Sequence, residues 1–168
     1  MLAVSDLMSE FLYAASLWLH VIAALSWTGA LAFFLFAFFP AARALAPGEG
    51  LAAFERGRRA LQTIGWTAIQ VLLLTGAVNF YFRFTASDPG GFYLGTLTVK
   101  IVLFGAMIFH HSLQAFKYGP QIAAAECGAG AAWPEPLAAT IARWASLARI
   151  NAAIGTVNIL LGLFLSGR

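Results

Sequence analysis

Charge is scarce in this chain. Only 10% of its 168 residues are Asp, Glu, Lys or Arg, whereas 61% are hydrophobic and the mean hydropathy is +0.80. An average soluble domain is about 25% charged and about 45–50% apolar. A soluble globule of this length cannot hide so much apolar surface, and a disordered or nucleic-acid-binding chain would have the opposite balance. Cysteine is reduced to Cys127, which excludes an internal disulfide and any CxxC metal or redox motif. Methionine is limited to Met1, Met8 and Met107, too scattered for a copper(I) site built on soft sulfur ligands. No Ser–His–Asp set and no phosphate-binding loop is present. The start, MLAVSDLMSE, has no Lys or Arg, and no short apolar core with a small-residue cleavage site follows it, so a removed signal peptide is not expected.

What the chain has instead is long apolar runs. Four stand out, at about 11–39, 63–82, 95–116 and 145–166, the first ending at Pro40. Each is long enough to cross a hydrocarbon core of about 30 Å as a helix rising 1.5 Å per residue. The alternating ten-residue segments of a transmembrane barrel are absent. The expected fold is therefore all-α, a single-domain integral membrane bundle of four transmembrane helices. No repeat of solenoid type is visible. Arg43, Arg56, Arg58 and Arg59 fall in or beside the first connection, and Lys117, Arg143 and Arg149 in or beside the third. Only Arg83 and Arg168 lie on the other side. The positive-inside rule puts the loops 40–62 and 117–144 in the cytoplasm and both termini outside. The net charge of +3 and pI near 9.4 then reflect topology rather than an acidic partner. Asp88-Pro89-Gly90-Gly91 reads as a turn, and Cys127 as an inert loop thiol.

Polar residues inside lipid carry an energetic cost, so they are the candidates for function. They are His20 in the first segment; Gln70 and Asn79 in the second; Lys100, His110, His111 and Gln114 in the third; and Asn151 and Asn158 in the fourth. No acidic residue lies in any span, which excludes a carboxylate proton relay. Counting from the middle of each span places His20, Asn79, Lys100 and Asn158 in an outer layer, and His110, His111, Trp66, Asn151 and Gln70 in an inner one. His20 and His111 then differ in depth by roughly 15 Å, too far to share a tetrahedral metal with bonds of about 2 Å. A haem with one histidine on each face would need a strong tilt or a shifted first helix. His110 and His111 point about 100° apart, so one of them at most faces a given site. Lys100 is either a snorkelling anchor or the partner of a carboxylate. Asn151 and Asn158, seven apart, share a face and suit interhelical hydrogen bonding. Trp18, Trp27, Trp66 and the phenylalanines of 33–39 are expected mostly at lipid or the interface. Gly155 and Gly162, also seven apart, form a plausible packing seam.

Three stretches resemble a known family. LWLHVIAALSWTGALAFF, with His20 followed by Trp27-Thr28-Gly29, is similar to the opening helix of the HemJ-type protoporphyrinogen oxidases and the related CopD-like membrane domains. KIVLFGAMIFHH resembles the HemJ lysine followed eleven residues later by histidine, here Lys100 and His111. ARINAAIGTVNILLGLFLSGR is similar to a HemJ helix with an early asparagine, here Asn151, although that family continues with Glu and Pro where Ala152 and Ala153 stand. Arg58 or Arg59 fits the basic loop of the family. The resemblance covers most of the chain on few specific positions. It implies a bundle in a bacterial inner membrane that binds haem b or a related porphyrin and oxidises protoporphyrinogen IX to protoporphyrin IX. It makes His20 and His111 candidate haem-iron ligands, with His110 as a further cofactor contact. Lys100 becomes the partner of a porphyrin carboxylate. Asn151 would orient His111 or a porphyrin edge, and Lys100 and Asn151 are the candidate catalytic residues. Two other readings stand beside this one: a CopD-like copper handler using His20, and an accessory transmembrane subunit of a larger respiratory or photosynthetic complex. Small residues on several helix faces also allow a homo-oligomer.

Overall fold

A computed structural model of the chain describes residues 2–86, 90–126 and 132–166. The Asp88-Pro89 turn, Cys127 and Arg168 lie outside the described residues. Within them all regular structure is helical: α1 (Leu2–Phe33), a π-helical stretch Phe34–Phe38, α2 (Phe39–Arg43), α3 (Pro47–Ala86), α4 (Gly91–Ser112), a second π-helical stretch Leu113–Tyr118, α5 (Gly119–Ala123) and α6 (Glu135–Ser166). α1 runs on through the first π stretch into α2, and α4 through the second into α5, so four rods result. Each is long and apolar enough to cross a membrane. The chain is an integral membrane four-helix bundle.

The rods are longer than the hydropathy pattern predicts. Pro40 does not end the first one. A proline has no N–H, and its ring clashes with the carbonyl four residues back. Here the helix widens to a π turn just before it, with the Phe39 N–H reaching back to the Phe34 carbonyl. The wider turn leaves Pro40 at the start of a new helical stretch, where an N–H is not needed. Pro120 is accommodated identically, with the Gly119 N–H bonded to the Gln114 carbonyl. The expected cytoplasmic loop 40–62, whose sequence reads as partly helical from Leu51, is helical from Pro47, and α6 begins at Glu135 rather than 145.

Apolar helices gain little by meeting in lipid, because the tails are as apolar as leucine; close packing and hydrogen bonds must hold them. Phe36, Leu74 and Phe116 are 71–81% exposed and point outward, as lipid contact requires. Trp27 and Phe34, expected at lipid, are instead buried. Phe34, Phe54 and Trp144 meet at ring centroid distances of 5.2–5.5 Å and plug the end of the bundle that carries Arg58, hereafter the basic end. Trp133 closes over them, donating from Nε1 to the Pro47 carbonyl at 2.9 Å. Trp27 lies deeper, edge-on to Phe104 and His111.

α1 packs along α3, α4 along α6, and α1 against α6, whereas α3 and α4 approach each other only briefly. The two hairpins share a register. His20 precedes Pro40 by the same number of residues as Lys100 precedes Pro120, and each proline follows a π stretch. In the second arms the buried positions Phe54, Arg58, Leu61, Ala68 and Leu72 fall at the same spacing as Leu137, Ile141, Trp144, Asn151 and Gly155. On that spacing Thr75 matches Asn158, and these are the residues met by His20 and Lys100. The two arms of each hairpin descend in the same sense as those of the other, as in parallel repeats related by an axis along the membrane normal. Few residue identities survive between the halves.

Candidate functional site

The polar residues gather in two layers, as depth counting predicts. Toward the end opposite the basic one, His20 on α1 meets α3. Thr75 Oγ1 donates to the Val71 carbonyl at 2.6 Å, the usual back-bond of a threonine within a helix. Its single proton is thereby used, so in the 2.8 Å contact between His20 Nδ1 and Thr75 Oγ1 the imidazole donates. In the neutral ring this selects the Nδ1–H tautomer, with the lone pair on Nε2. Ser16 donates to the Thr75 carbonyl at 3.3 Å and ties the same turn to α1. Gly76 completes the fit, since a Cβ there would stand 3.4 Å from the imidazole.

Lys100 belongs to this layer and is half-buried. Its Nζ donates to the Asn158 carbonyl at 2.8 Å, while Asn158 Nδ2 donates back to the Lys100 carbonyl at 3.4 Å. A side chain at Gly162 would collide with the ammonium, so α6 is bare where Nζ lies on it. No Asp or Glu occurs in the apolar spans to neutralise it. Among the described residues Asn79 Oδ1 and Asn158 Oδ1 are buried acceptors without a donor, and such orphans are unusual enough to need an explanation.

The other layer is built around His111, which is buried between Trp27 and Trp66 at centroid distances of 5.5 and 5.1 Å, both edge-on. The ring presses on the bare backbone of Gly65, where even a methyl group would overlap it. His111 Nε2 and the indole N–H groups of Trp27 and Trp144 have no hydrogen-bond partner. A cavity of about 10 Å³, room for about one water, lies beside it and is lined by Arg58, Gln62, Gln114 and Trp144.

Arg58, expected in a solvated loop, is buried. It grips Glu55 with both ends of the guanidinium, Nε at 2.7 Å and Nη2 at 2.6 Å, and donates to Gln62 Oε1 at 3.0 Å. Arg59, exposed, adds a 2.7 Å bond to the same carboxylate. Burying a guanidinium is tolerable only with such pairing. Gln114, within the second π stretch, donates to the Trp144 carbonyl at 3.1 Å and pins α6 there.

The structure places His20 and Lys100 in the same layer, on separate partners, and keeps His20 and His111 apart. His20 rests on α3 at Thr75 and Gly76, His111 on α3 at Gly65. Three turns of one helix separate those positions, roughly 15 Å, and the first helix is not shifted to close the gap. A haem held by both histidines therefore does not fit. Among the described residues no group of three or more His, Cys, Asp or Glu could hold a metal ion. Asn151 does not orient His111. It is fully buried, accepts from His110 Nδ1 at 3.1 Å and donates to the Met107 carbonyl at 3.1 Å, so it positions His110. Sequence reasoning missed Thr75, the donor-fixing partner of His20, and the burial of Glu55 with Arg58. For the latter the spacing of three residues in a helical pattern is a signal that was available.

A single porphyrin ligand is a different matter. His20 and Lys100 are the residues of this layer that could hold an iron and a carboxylate, whereas the enclosed acceptors Asn79 Oδ1 and Asn158 Oδ1 match no donor on a haem. Compared with known proteins, the chain matches no family model, no curated protein and no solved structure.

Proposed function

We propose that this protein binds haem b or a related porphyrin within the membrane, in the layer of His20 and Lys100, and serves in redox chemistry on a porphyrin. One observation carries the reading: an imidazole held through Nδ1 and a lysine with no acidic partner among the described residues share one depth of the bundle. A cation within a span costs up to about 2.5–3.5 kcal/mol at the centre on insertion scales and less toward the interface, where Lys100 stands, and a ligand carboxylate would offset that cost through a charge-assisted bond. His20 Nε2 would hold the iron, Thr75 would keep the ring oriented through Nδ1, and Lys100 would pair with a porphyrin acid group. The group, when bound, would supply the redox chemistry, tuned by its protein ligand and by burial. With the resemblance to HemJ-type proteins, this extends to oxidation of protoporphyrinogen IX with the electrons passed to a membrane electron acceptor, the basic end lying in the cytoplasm of a bacterial cell. The sparse donor set favours this over copper handling.

The test is the absorption spectrum of the detergent-purified protein, oxidised and dithionite-reduced, with and without added haemin. A Soret band abolished in His20→Ala and retained in His111→Ala supports the reading. A wild type that shows no Soret band and gains none with haemin overturns it.

A further inference from the structure

Most cations at the basic end are engaged within the bundle. Arg58 and Arg59 share the Glu55 carboxylate, Arg43 lies over the Phe39 ring and Lys117 over the Tyr118 ring. Arg143 and Arg149 on α6 differ. Both are exposed, and among the described residues neither has an ion pair, a hydrogen bond or a ring contact. The helix itself accounts for this. Its buried side carries Trp144, Ala148, Asn151 and Gly155 and packs on α1 and α4. At 3.6 residues per turn, Arg143, Ser146 and Arg149 fall within an arc of about 120° on the opposite side. All three are exposed, and Ala139 and Ala142 beside Ser146 keep the surface low there.

Depth matters as much as direction. The apolar run of α6 begins at about 145, so Arg143 lies just outside the hydrocarbon and Arg149 about one turn inside it. Arg149 is nearly level with His110, which bonds Asn151 two residues further on. An arginine at that depth lays its stem along the helix and returns its head to the interface. Arg143 meets that interface from the other side. The two guanidiniums, roughly 9 Å apart along the axis at their backbones, are within reach of one group seated at Ser146, whose hydroxyl is a further donor. Glu135 stands on the same face, but about 12 Å beyond Arg143 and out of pairing reach. Two unpaired positive charges with no acid between them suit a phosphate, and at this boundary the phosphates belong to the bilayer. We propose that the outer face of α6 between Arg143 and Arg149 binds the headgroup phosphate of one anionic phospholipid in the leaflet at the basic end, with its acyl chains along the exposed Ala153 and Val157. The site is separate from the layer of His20 and Lys100 and does not depend on porphyrin binding.

The experiment is native mass spectrometry of the full chain in detergent, titrated with phosphatidylglycerol or with phosphatidylcholine of the same acyl chains. The wild type is expected to hold one phosphatidylglycerol in preference to phosphatidylcholine. Removing a guanidinium at a membrane surface weakens such binding about fivefold, so Arg143→Gln with Arg149→Gln should lose it about 25-fold. Ser146→Leu fills the seat without touching the charge and should also weaken it. Arg56→Gln with Lys117→Gln removes the same charge from exposed positions at the same end and should leave it unchanged. Unfolding temperatures in lipid-free detergent, expected to match the wild type, separate lost binding from lost fold; where the Arg143 and Arg149 pair does not fold, Ser146→Leu carries the test. Equal loss in the Arg56 and Lys117 pair assigns the preference to the whole basic end and overturns the site. A wild type that takes both lipids alike overturns it too, as do dimers that the Arg143 and Arg149 pair abolishes with no lipid bound.

Discussion

Lys100 and Asn158 hold each other reciprocally: the ammonium donates to the asparagine's backbone carbonyl, and the asparagine's amide donates to the lysine's. Helix α4 is thereby latched to α6 at the depth of His20, with the cation facing the bundle rather than the lipid. The latch satisfies a donor but leaves the charge without a counter-charge, which is why a stabilising substitution should be easy to find there.

Lys100→Met removes a costly intramembrane charge and keeps the volume. It should raise thermal stability of the empty protein, by roughly 1 kcal/mol once the lost latch is set against an insertion gain of about 2.5–3.5 kcal/mol. The same change should weaken porphyrin binding about tenfold, the loss of one charge-assisted bond. Thermal unfolding in detergent and a Soret titration check the two halves, and a less stable Lys100→Met protein would contradict the first.

Thr75→Val deletes the acceptor of His20 Nδ1 while preserving shape. Partners of a ligating histidine typically contribute 10–100-fold to affinity, so haemin binding should fall by about that factor, with a displaced Soret maximum. Thr75→Ser should restore both, because the hydroxyl is what acts. Equal loss in the serine variant would mark Thr75 as a packing residue only.

Gly65→Ala sets a methyl group into the His111 ring. Helix propensity alone would make this change favourable by about 1 kcal/mol. Overpacking of this kind costs about 1–3 kcal/mol, and the ring is walled by Trp27 and Trp66 and has nowhere to go. Net destabilisation is expected in a denaturant titration. Gly65→Ala combined with His111→Ala should recover most of it.

Glu55→Gln leaves the Arg58 guanidinium buried without its carboxylate, at a cost of about 3 kcal/mol. Arg58→Met removes the charge instead and should cost less. The double variant should be more stable than the sum of the single effects requires, and a double-mutant cycle in unfolding free energy measures that coupling.

Much of the fold was legible because lipid imposes a simple demand: every backbone polar group must be satisfied within the segment, so long apolar runs are helices. The two polar layers were legible for the same reason, since residues such as His20, Lys100 and Asn158 stand out only where everything around them is apolar. Hydropathy fails where a helix leaves the membrane and continues. Pro47 through Gln62 carries five charges, yet it is helical, with Glu55, Arg58 and Arg59 neutralising one another along it. Pairing partners were also illegible. Nothing in the spacing of Asn151 says that it meets His110 rather than His111. That choice depends on how α4 is rotated against α6.

The shared register of the two hairpins has a consequence for how such a site can arise. In a dimer of identical two-helix chains, His20 and Lys100 would be one residue seen twice, and any improvement in one would be imposed on the other. Carried on a single polypeptide, the halves are free to specialise. One has become a neutral base fixed by a threonine, and the other a cation latched to an asparagine.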